Sequence, residues 1–198
     1  MKTLNIASIK RFAGMSLLAA LLLTSCTGKQ DSAAGEGSAA TARPEASTPP
    51  VDIHTAVLTE NAAALKQHIQ AGSNLNEKDP YGGSSPLITA SLFGKTAMAQ
   101  TLLDAGADIN FQNNDGSTAL HTAAFFCRPE IVKMLLDKGA DKTIKNKFGV
   151  TAYESVTPPF EQVKNTYDIM GKVLSPMGLK LDYAYIEKTR PEIAGMLK

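Results

Sequence analysis

Residues 102–110 read LLDAGADIN, and residues 135–143 read LLDKGADKT, which is nearly the same string 33 positions later. Gly83, Gly116 and Gly149 follow the same spacing. A fixed period of this length is typical of a repeat protein, in which one unit cannot bury its apolar face alone and packs on its neighbours. The sequence therefore predicts a stack of similar units.

The start of each unit also recurs. Ser85, Thr118 and Thr151 are again 33 residues apart, and a hydroxyl at such a position can cap the N-terminus of a helix. Together with Gly-Ala-Asp at residues 106–108 and Leu-His-Thr-Ala at residues 120–123, the pattern resembles the ankyrin repeat, which has a β-turn, two helices and a closing loop. The resemblance implies an all-α ankyrin-repeat solenoid.

The resemblance places the repeats in residues 51–156. It divides them into a degenerate first repeat at about 52–76, full repeats at 77–110 and 111–143, and a partial fourth repeat at 144–156. One extra residue lies between Gly72 and Gly83. We therefore expect the second β-turn finger to protrude or bend differently from the others.

The C-terminal part of the chain, residues 157–198, is expected to form a helical cap. Pro158 and Pro159 end the fourth repeat after its first helix, because proline lacks an N–H donor and clashes with a continuing helix. Apolar residues at helical spacing then predict a long helix that replaces the missing second one; they include Phe160, Val163, Tyr167 and Met170.

The last twenty residues have two interpretations. In the favoured one, Asp182 caps one short helix and residues 189–191 open another, which carries Ile193 and Leu197 inward. In the alternative, the alternation of residues 179–185 forms a strand.

The first 25 residues have the composition of a signal peptide. Lys2, Lys10 and Arg11 precede an apolar run at residues 12–23. That run is too short to cross a hydrocarbon core of about 30 Å, which needs roughly 20 helical residues. We expect a cleaved signal rather than a permanent membrane helix.

The signal ends in Leu-Thr-Ser-Cys at residues 23–26, which resembles the bacterial lipobox. The resemblance implies that Cys26 carries a lipid, and the alternative is an ordinary secretory signal that is cleaved elsewhere. Since Thr27 rather than Asp follows the cysteine, the same resemblance implies that the chain is a bacterial lipoprotein on the periplasmic face of the outer membrane. Residues 26–50 hold no large apolar side chain, and we expect a disordered tether with a reach of roughly 27 Å.

The charge and the motifs argue against several function classes. Three of the 20 basic residues and none of the 19 acidic ones lie in the first 25 residues, so the remaining chain is near neutral and lacks the basic face that nucleic acid requires. We find no spacing typical of a nucleophile and its base or of a phosphate loop. The chain is therefore expected to be non-enzymatic, with no cofactor, metal or small-molecule substrate.

The histidines and Cys127 are given structural roles. The resemblance implies that His121 hydrogen-bonds within the turn network, with His54 at the equivalent position of the first repeat, whereas His68 is expected to be a surface or capping residue. Cys127 stands where the second repeat has Gly94, so we expect either backbone strain or an altered turn there. A packed, inert thiol is favoured over a reactive one.

The resemblance also locates the candidate partner-binding residues, which are the β-turn tips and the ends of the inner helices. At the tips these are Tyr81, Asn114, Asp115, Lys147 and Phe148, and on the inner helices they are Leu92, Phe93, Phe125 and Phe126. Exposed apolar strips mark interaction sites, and aromatic residues dominate binding hot spots. The alternative is that some of these rings fold over the core or under the C-terminal segment.

The expected function is a monomeric, tethered module that binds another protein, as an immunity protein or an accessory factor. The alternative is a structural spacer of the envelope with no specific client.

Overall fold

The computed structural model of the chain describes residues 49–198, which form short helices stacked in pairs. The first repeat contains α1 (Ile53–Leu58) and α2 (Ala62–Gln70), the second α3 (Pro86–Phe93) and α4 (Thr96–Asp104), and the third α5 (Ala119–Phe125) and α6 (Pro129–Asp137). The fourth repeat begins with α7 (Ala152–Val156), and α8 (Phe160–Leu174), a 3₁₀ turn (Ser175–Met177) and α9 (Tyr183–Leu197) complete the chain.

The predicted hydroxyl caps begin the first helix of each repeat. Ser85 accepts a hydrogen bond from the N–H of the third residue of α3, and Thr118 and Thr151 do the same for α5 and α7. Asp52 caps α1 in the same manner. Each cap satisfies one of the N–H groups that a helix start leaves without a partner, which is worth about 1 kcal/mol.

The helices form two layers. The first helices, α1, α3, α5 and α7, pack side by side in chain order, and α2, α4 and α6 each pack behind the first helix of their own repeat. The core between the layers is made mainly of alanines and leucines. The largest contributions to it come from fully buried leucines, which include Leu65, Leu87, Leu102, Leu120 and Leu135. Each contributes roughly 1.5–3 kcal/mol, and the period of the sequence is the period of this core.

The long helix α8 forms as predicted, but the expectation that it replaces the second helix of the fourth repeat is wrong. The helix that packs behind α7 and beside α6 is α9, which buries Ile193 and Leu197 in the main core. In the other repeats, a backbone N–H in the joint, which is the short segment between the two helices, donates a hydrogen bond to a carbonyl of the first helix. One example is the bond from Arg128 N to Ala123 O at 2.9 Å. Pro158 and Pro159 stand where the third repeat has Phe125 and Phe126. Because they lack the N–H groups that complete the last turn of α5, α7 ends at Val156 and α8 leaves the stack.

The C-terminal residues form one helix instead of two. Asp182 caps α9 as predicted, by accepting a hydrogen bond from the N–H of Tyr185 at 3.1 Å. The helix then continues through Pro191, which is exposed, to Leu197. Burial of Ile193 and Leu197 favours this continuation, and residues 179–185 do not form the alternative strand.

Candidate functional site

Asp79 organises the β-turn finger of the second repeat. Its Oδ1 accepts hydrogen bonds from the N–H groups of Tyr81 and Gly82, and its Oδ2 accepts one from Ser84, each at 2.7 Å. Burial acts to raise the pKa of this carboxyl, but the backbone hydrogen bonds outweigh burial and hold the pKa below its usual 3.8. The anion therefore fixes the finger.

The finger of the second repeat is one residue longer than the others. Its closing hydrogen bond spans residues 79–84, whereas those of the third and fourth repeats span residues 113–117 and 146–150. Asn113 and Asn146 organise these shorter fingers, each through a single amide oxygen that accepts two N–H groups. The insertion predicted before Gly83 is thus confirmed, and it lies within the turn itself.

The fingertips present their side chains to solvent. Backbone hydrogen bonds join neighbouring fingers, one of them from Lys147 N to Asp115 O at 2.8 Å. Tyr81 is 87% exposed and Phe148 is 71% exposed, and Asn114, Asp115 and Lys147 are exposed as well. All five predicted tip residues are therefore accessible to a partner.

The histidines hold neighbouring repeats together. His121 Nδ1 lies 2.9 Å from Thr118 Oγ1, and Nε2 lies 3.1 Å from Val150 O in the next finger. Burial is the largest cause that lowers the pKa of His121. His54 likewise reaches Glu77 O across repeats, at 3.0 Å. The structural roles expected for these two residues are confirmed.

Of the two roles expected for His68, a surface or a capping residue, the surface role is wrong. Its side chain is buried, with Nε2 2.8 Å from Val51 O and Nδ1 3.1 Å from Ser73 Oγ. The ring ties the segment before α1 to the end of α2. The apolar period places this position on the second helix but does not show that residue 51 returns to cover it.

The four inner-helix residues of the candidate site do not share one environment. Leu92 and Phe93 in the second repeat and Phe125 in the third are half-buried, but Phe126 is only 4% exposed. Phe126 therefore cannot present its ring to a partner in this fold, and the expectation of a continuous apolar strip is corrected at that position.

Tyr167 of α8 is the residue that covers the third repeat. Its ring stacks on Phe125, with centroids 4.4 Å apart and planes 16° from parallel, and it meets Phe126 edge-on at 6.5 Å. Its hydroxyl donates to Phe125 O at 2.5 Å, and burial raises the pKa of that hydroxyl to about 12. The alternative in which rings lie under the C-terminal segment thus holds for the third repeat.

Arg190 of α9 fixes Tyr167 from behind. Its Nη1 donates to the Tyr167 hydroxyl oxygen at 2.9 Å, and its Nη2 donates to Pro158 O at 2.8 Å and to Ser155 O at 3.3 Å. The side chain is 2% exposed, and no carboxylate of residues 49–198 lies within ion-pair distance of it. Since a second hydroxyl, that of Tyr183, donates to Asp168 at 2.7 Å, α8 is clamped to α9 at two points.

Three equivalent joints between first and second helices share a left-handed backbone conformation. Gly94 has φ 68°, Cys127 has φ 52° and Glu60 has φ 55°. The strain expected at Cys127 is therefore present, since a residue with a Cβ pays roughly 1–2 kcal/mol in this region. The thiol is fully buried, so the predicted packing of this cysteine is confirmed, and burial raises its pKa to about 11, which disfavours the reactive thiolate.

Sequence reasoning did not identify the residues that shape this site most. The sequence pattern indicates Tyr167 only as part of an apolar period and Arg190 only as the start of a short helix. It assigns no role to Arg128, which follows Cys127. A basic residue within an otherwise apolar face, such as Arg190 between Ile186 and Ile193, is the one available signal of a buried hydrogen-bonded cation.

The described part of the chain contains no group of three or more His, Cys, Asp and Glu side chains that could share a metal ion. Among its helices, each is too short or too polar to cross a membrane. Cys26 and the proposed signal and tether lie outside the described residues, apart from positions 49 and 50.

Comparison with known proteins agrees with this geometry. The family model described as ankyrin repeats, in three copies, matches residues 53–146. Among solved structures, the chain is similar to the ankyrin repeat domain of Bcl-3, a unique member of the IkappaB protein family, at 34% identity and a TM-score of 0.51. That similarity covers 52% of this chain and 45% of the Bcl-3 chain. No protein of curated function matches the sequence.

The fold is therefore an ankyrin-repeat solenoid with a helical C-terminal extension. Ankyrin repeats are generally protein–protein interaction modules, and neither comparison indicates an enzymatic family. The resemblance seen in the sequence is confirmed at this level.

Proposed function

We propose that this chain is a membrane-tethered protein of the bacterial envelope that binds another protein through the part of its concave face that α8 leaves open. This open face consists of the fingertip residues Tyr81, Asn114, Asp115, Lys147 and Phe148 and the inner-helix residues Leu92 and Phe93. The observation that carries the proposal is the exposure of two aromatic rings, Tyr81 at 87% and Phe148 at 71%, on fingers that hydrogen bonds hold rigid. Rigid aromatic side chains are favoured binding anchors because little conformational entropy is lost when they are buried.

The third repeat has a smaller part in this proposal than its sequence suggests. Phe126 is buried and Phe125 lies against Tyr167, so neither ring is free to serve as the centre of a binding surface. The partner is expected to contact the fingertips and the second repeat instead.

Affinity capture from bacterial envelope extracts tests the binding surface. The bait is compared with a variant that carries Tyr81→Ser, Phe93→Ser and Phe148→Ser, and the matched control is Val173→Ser, which removes an apolar side chain that is 65% exposed on α8. We expect one or a few proteins that the wild type and the control retain and the triple variant loses. Equal recovery by all three baits would contradict the proposal.

The anchor is part of the proposal and has its own test. We infer that Cys26 is lipidated, because residues 23–26 resemble a lipobox after a positively charged and apolar leader. Cys26→Ser should move the protein from the membrane fraction to the soluble fraction and abolish incorporation of labelled palmitate. Membrane association that persists without palmitate would disprove the anchor, and fractionation of inner and outer membranes tests the location expected from Thr27.

Within this function, an immunity protein and an accessory factor of an envelope enzyme differ in the partner that capture would yield, which is a toxin in one case and a resident enzyme in the other. A structural spacer is the second candidate, supported by the length of the apolar-poor segment that precedes the repeats. A spacer would retain its role when Tyr81, Phe93 and Phe148 are replaced.

A further inference from the structure

One arginine on the inner-helix side of the solenoid has no carboxylate partner among the described residues. Arg128 lies in the joint between α5 and α6, and its guanidinium extends over the end of α3, where Nη2 donates to Leu92 O at 3.3 Å. A Cβ on Gly94 would lie 3.1 Å from Arg128 Nε. The three ion pairs within residues 49–198 all involve other cations.

The guanidinium of Arg128 is only partly satisfied. It is half-buried, and its Nε is fully buried without a hydrogen-bond acceptor. Its two terminal nitrogens carry four of the five N–H donors and make one long bond within the described residues, so they are the atoms that a partner can reach. Burial lowers the pKa of Arg128, and the charges of Tyr185, Cys127 and Glu130 act against that shift. A desolvated cation with free donors is stabilised by any acceptor that reaches it.

The surroundings of Arg128 combine this charge with apolar surface. Leu92 and Phe93 are half-buried immediately before Gly94, and Tyr185 at the start of α9 is 43% exposed. The neighbouring cation, Lys95, is already neutralised by Glu60, whose carboxylate lies 2.5 Å away. Glu130 is close enough for its charge to act on the pKa of Arg128, but it is exposed and lies outside ion-pair distance of the guanidinium.

The inner-helix surface beside this corner is short. The inner helices α3 and α5 have eight and seven residues, which corresponds to about 12 Å, similar to the diameter of one helix. Fingers precede the N-termini of these helices, and at the C-terminus of α5 the ring of Tyr167 covers Phe125. A single polypeptide segment fits between the fingers and the ring of Tyr167 better than a broad globular surface does.

We propose that Leu92, Phe93, Arg128 and Tyr185 form a pocket for a partner segment in which an Asp or Glu lies next to a large apolar residue. The carboxylate pairs with the guanidinium of Arg128, and the apolar side chain packs against Phe93. Arginine and carboxylate can form two parallel hydrogen bonds, and such pairs set the register of a bound segment. This proposal rests on the proposed protein-binding function and specifies the chemistry of its partner.

Selection from a random dodecapeptide library displayed on phage, with the purified chain as bait, tests the proposal. We expect the enriched peptides to place Asp or Glu beside Leu, Ile, Phe or Trp. In the best peptide, changing the acid to its amide should weaken binding about tenfold or more. Because that change is made in the peptide, its result does not depend on the folding of a protein variant.

A double-mutant cycle then assigns the contact. Arg128→Gln should weaken binding of the acidic peptide by a similar factor and abolish the difference between the acid and amide peptides. Lys133→Gln, which alters an exposed cation on α6, is the control and should leave binding unchanged. The proposal is overturned if no peptide binds, if the enriched peptides lack acids, or if the acid and amide peptides bind Arg128→Gln with the same ratio as wild type.

The two proposals fail separately. If envelope capture depends on Tyr81, Phe93 and Phe148 but peptide binding does not depend on the acid, only the specificity proposed for Arg128 is wrong. If capture is also insensitive to the three substitutions, the protein-binding function fails with it.

Discussion

The second and third repeats have similar sequences at the ends of their inner helices, yet only the third is covered. Leu92-Phe93-Gly94 and Phe125-Phe126-Cys127 are equivalent segments, both followed by a basic residue. Phe93 is half-buried, whereas Phe126 is 4% exposed beneath the ring of Tyr167. The difference lies in α8, a segment that begins more than thirty residues later. Equivalent positions in a repeat protein can therefore have opposite roles when one terminal segment folds over them.

The largest effect is expected from removing the cover of the third repeat. Tyr167→Ala should lower the free energy of unfolding by about 3–5 kcal/mol, because a fully buried ring is lost and Arg190 and Phe125 O lose a hydrogen-bond partner. Urea denaturation followed by circular dichroism measures this change. Val173→Ala on the exposed face of α8 should cost less than about 0.5 kcal/mol, and similar losses in both variants would show that Tyr167 does not hold the cover.

A second prediction compares the two phenylalanines directly. Phe126→Ala should cost about 3 kcal/mol or more, because it leaves a cavity beneath α8. Phe93→Ala should cost about 1 kcal/mol, since its ring is already partly in water. The same denaturation experiment serves both, and equal losses would contradict the distinction between a covered and an open repeat.

The joints between helices give a third and smaller contrast. Gly94→Ala should destabilise the protein by about 1–2 kcal/mol, because its φ of 68° disfavours a Cβ. Cys127→Gly should change stability by less than about 1 kcal/mol, since relief of strain at φ 52° offsets the loss of a buried side chain and the added freedom of the unfolded chain. Thermal melting monitored at one protein concentration compares the two, and a strong loss only in Cys127→Gly would show that packing outweighs strain.

The fingers provide the smallest expected effect. Asp79→Asn should cost about 1 kcal/mol near pH 7, because one amide oxygen replaces two carboxylate oxygens that accept three N–H groups. Since the folded pKa of Asp79 lies below 3.8, its ionisation stabilises the fold above that pH, and the contribution is lost as the pH falls through the lowered pKa.

Unfolding curves between neutral and acid pH measure this contribution. The difference between wild type and Asp79→Asn should shrink as the carboxyl becomes protonated. Asp115→Asn, which removes an exposed carboxyl at the next fingertip, is the matched control. A constant difference at all pH values would mean that the charge of Asp79 does not contribute.

Much of the repeat region could be predicted because its features are local. The caps at Ser85, Thr118 and Thr151 depend on residues within one turn of helix, and the strain at Cys127 follows from the glycine that the second repeat has at the same place. The extra residue of the second finger could likewise be counted from the spacing of two glycines.

The C-terminal region was predicted less well because its features depend on distant partners. Both α8 and α9 have apolar residues at helical spacing, and either could have filled the outer layer of the fourth repeat. The burial of Arg190 depends on a hydroxyl from α8, a carbonyl oxygen of α7 and one from the loop after α7, which no local pattern brings together. The exposure of the Phe125 and Phe126 rings depends on the same point, namely which of the two helices packs in the outer layer and which covers the third repeat.

The sequence by itself determined the repeat, its period and the position of each turn, because the second and third units use the same short-range caps, leucines and glycines, and the fourth begins with the same glycine and hydroxyl cap. The tertiary structure decided which C-terminal helix closes the core and which repeat keeps an open face. The physical reason is that α8 and α9 both have apolar faces that could cover the apolar end of the stack. Pro158 and Pro159 prevent α8 from packing behind α7, and the hydrogen bond between Arg190 and Tyr167 holds α8 over the third repeat.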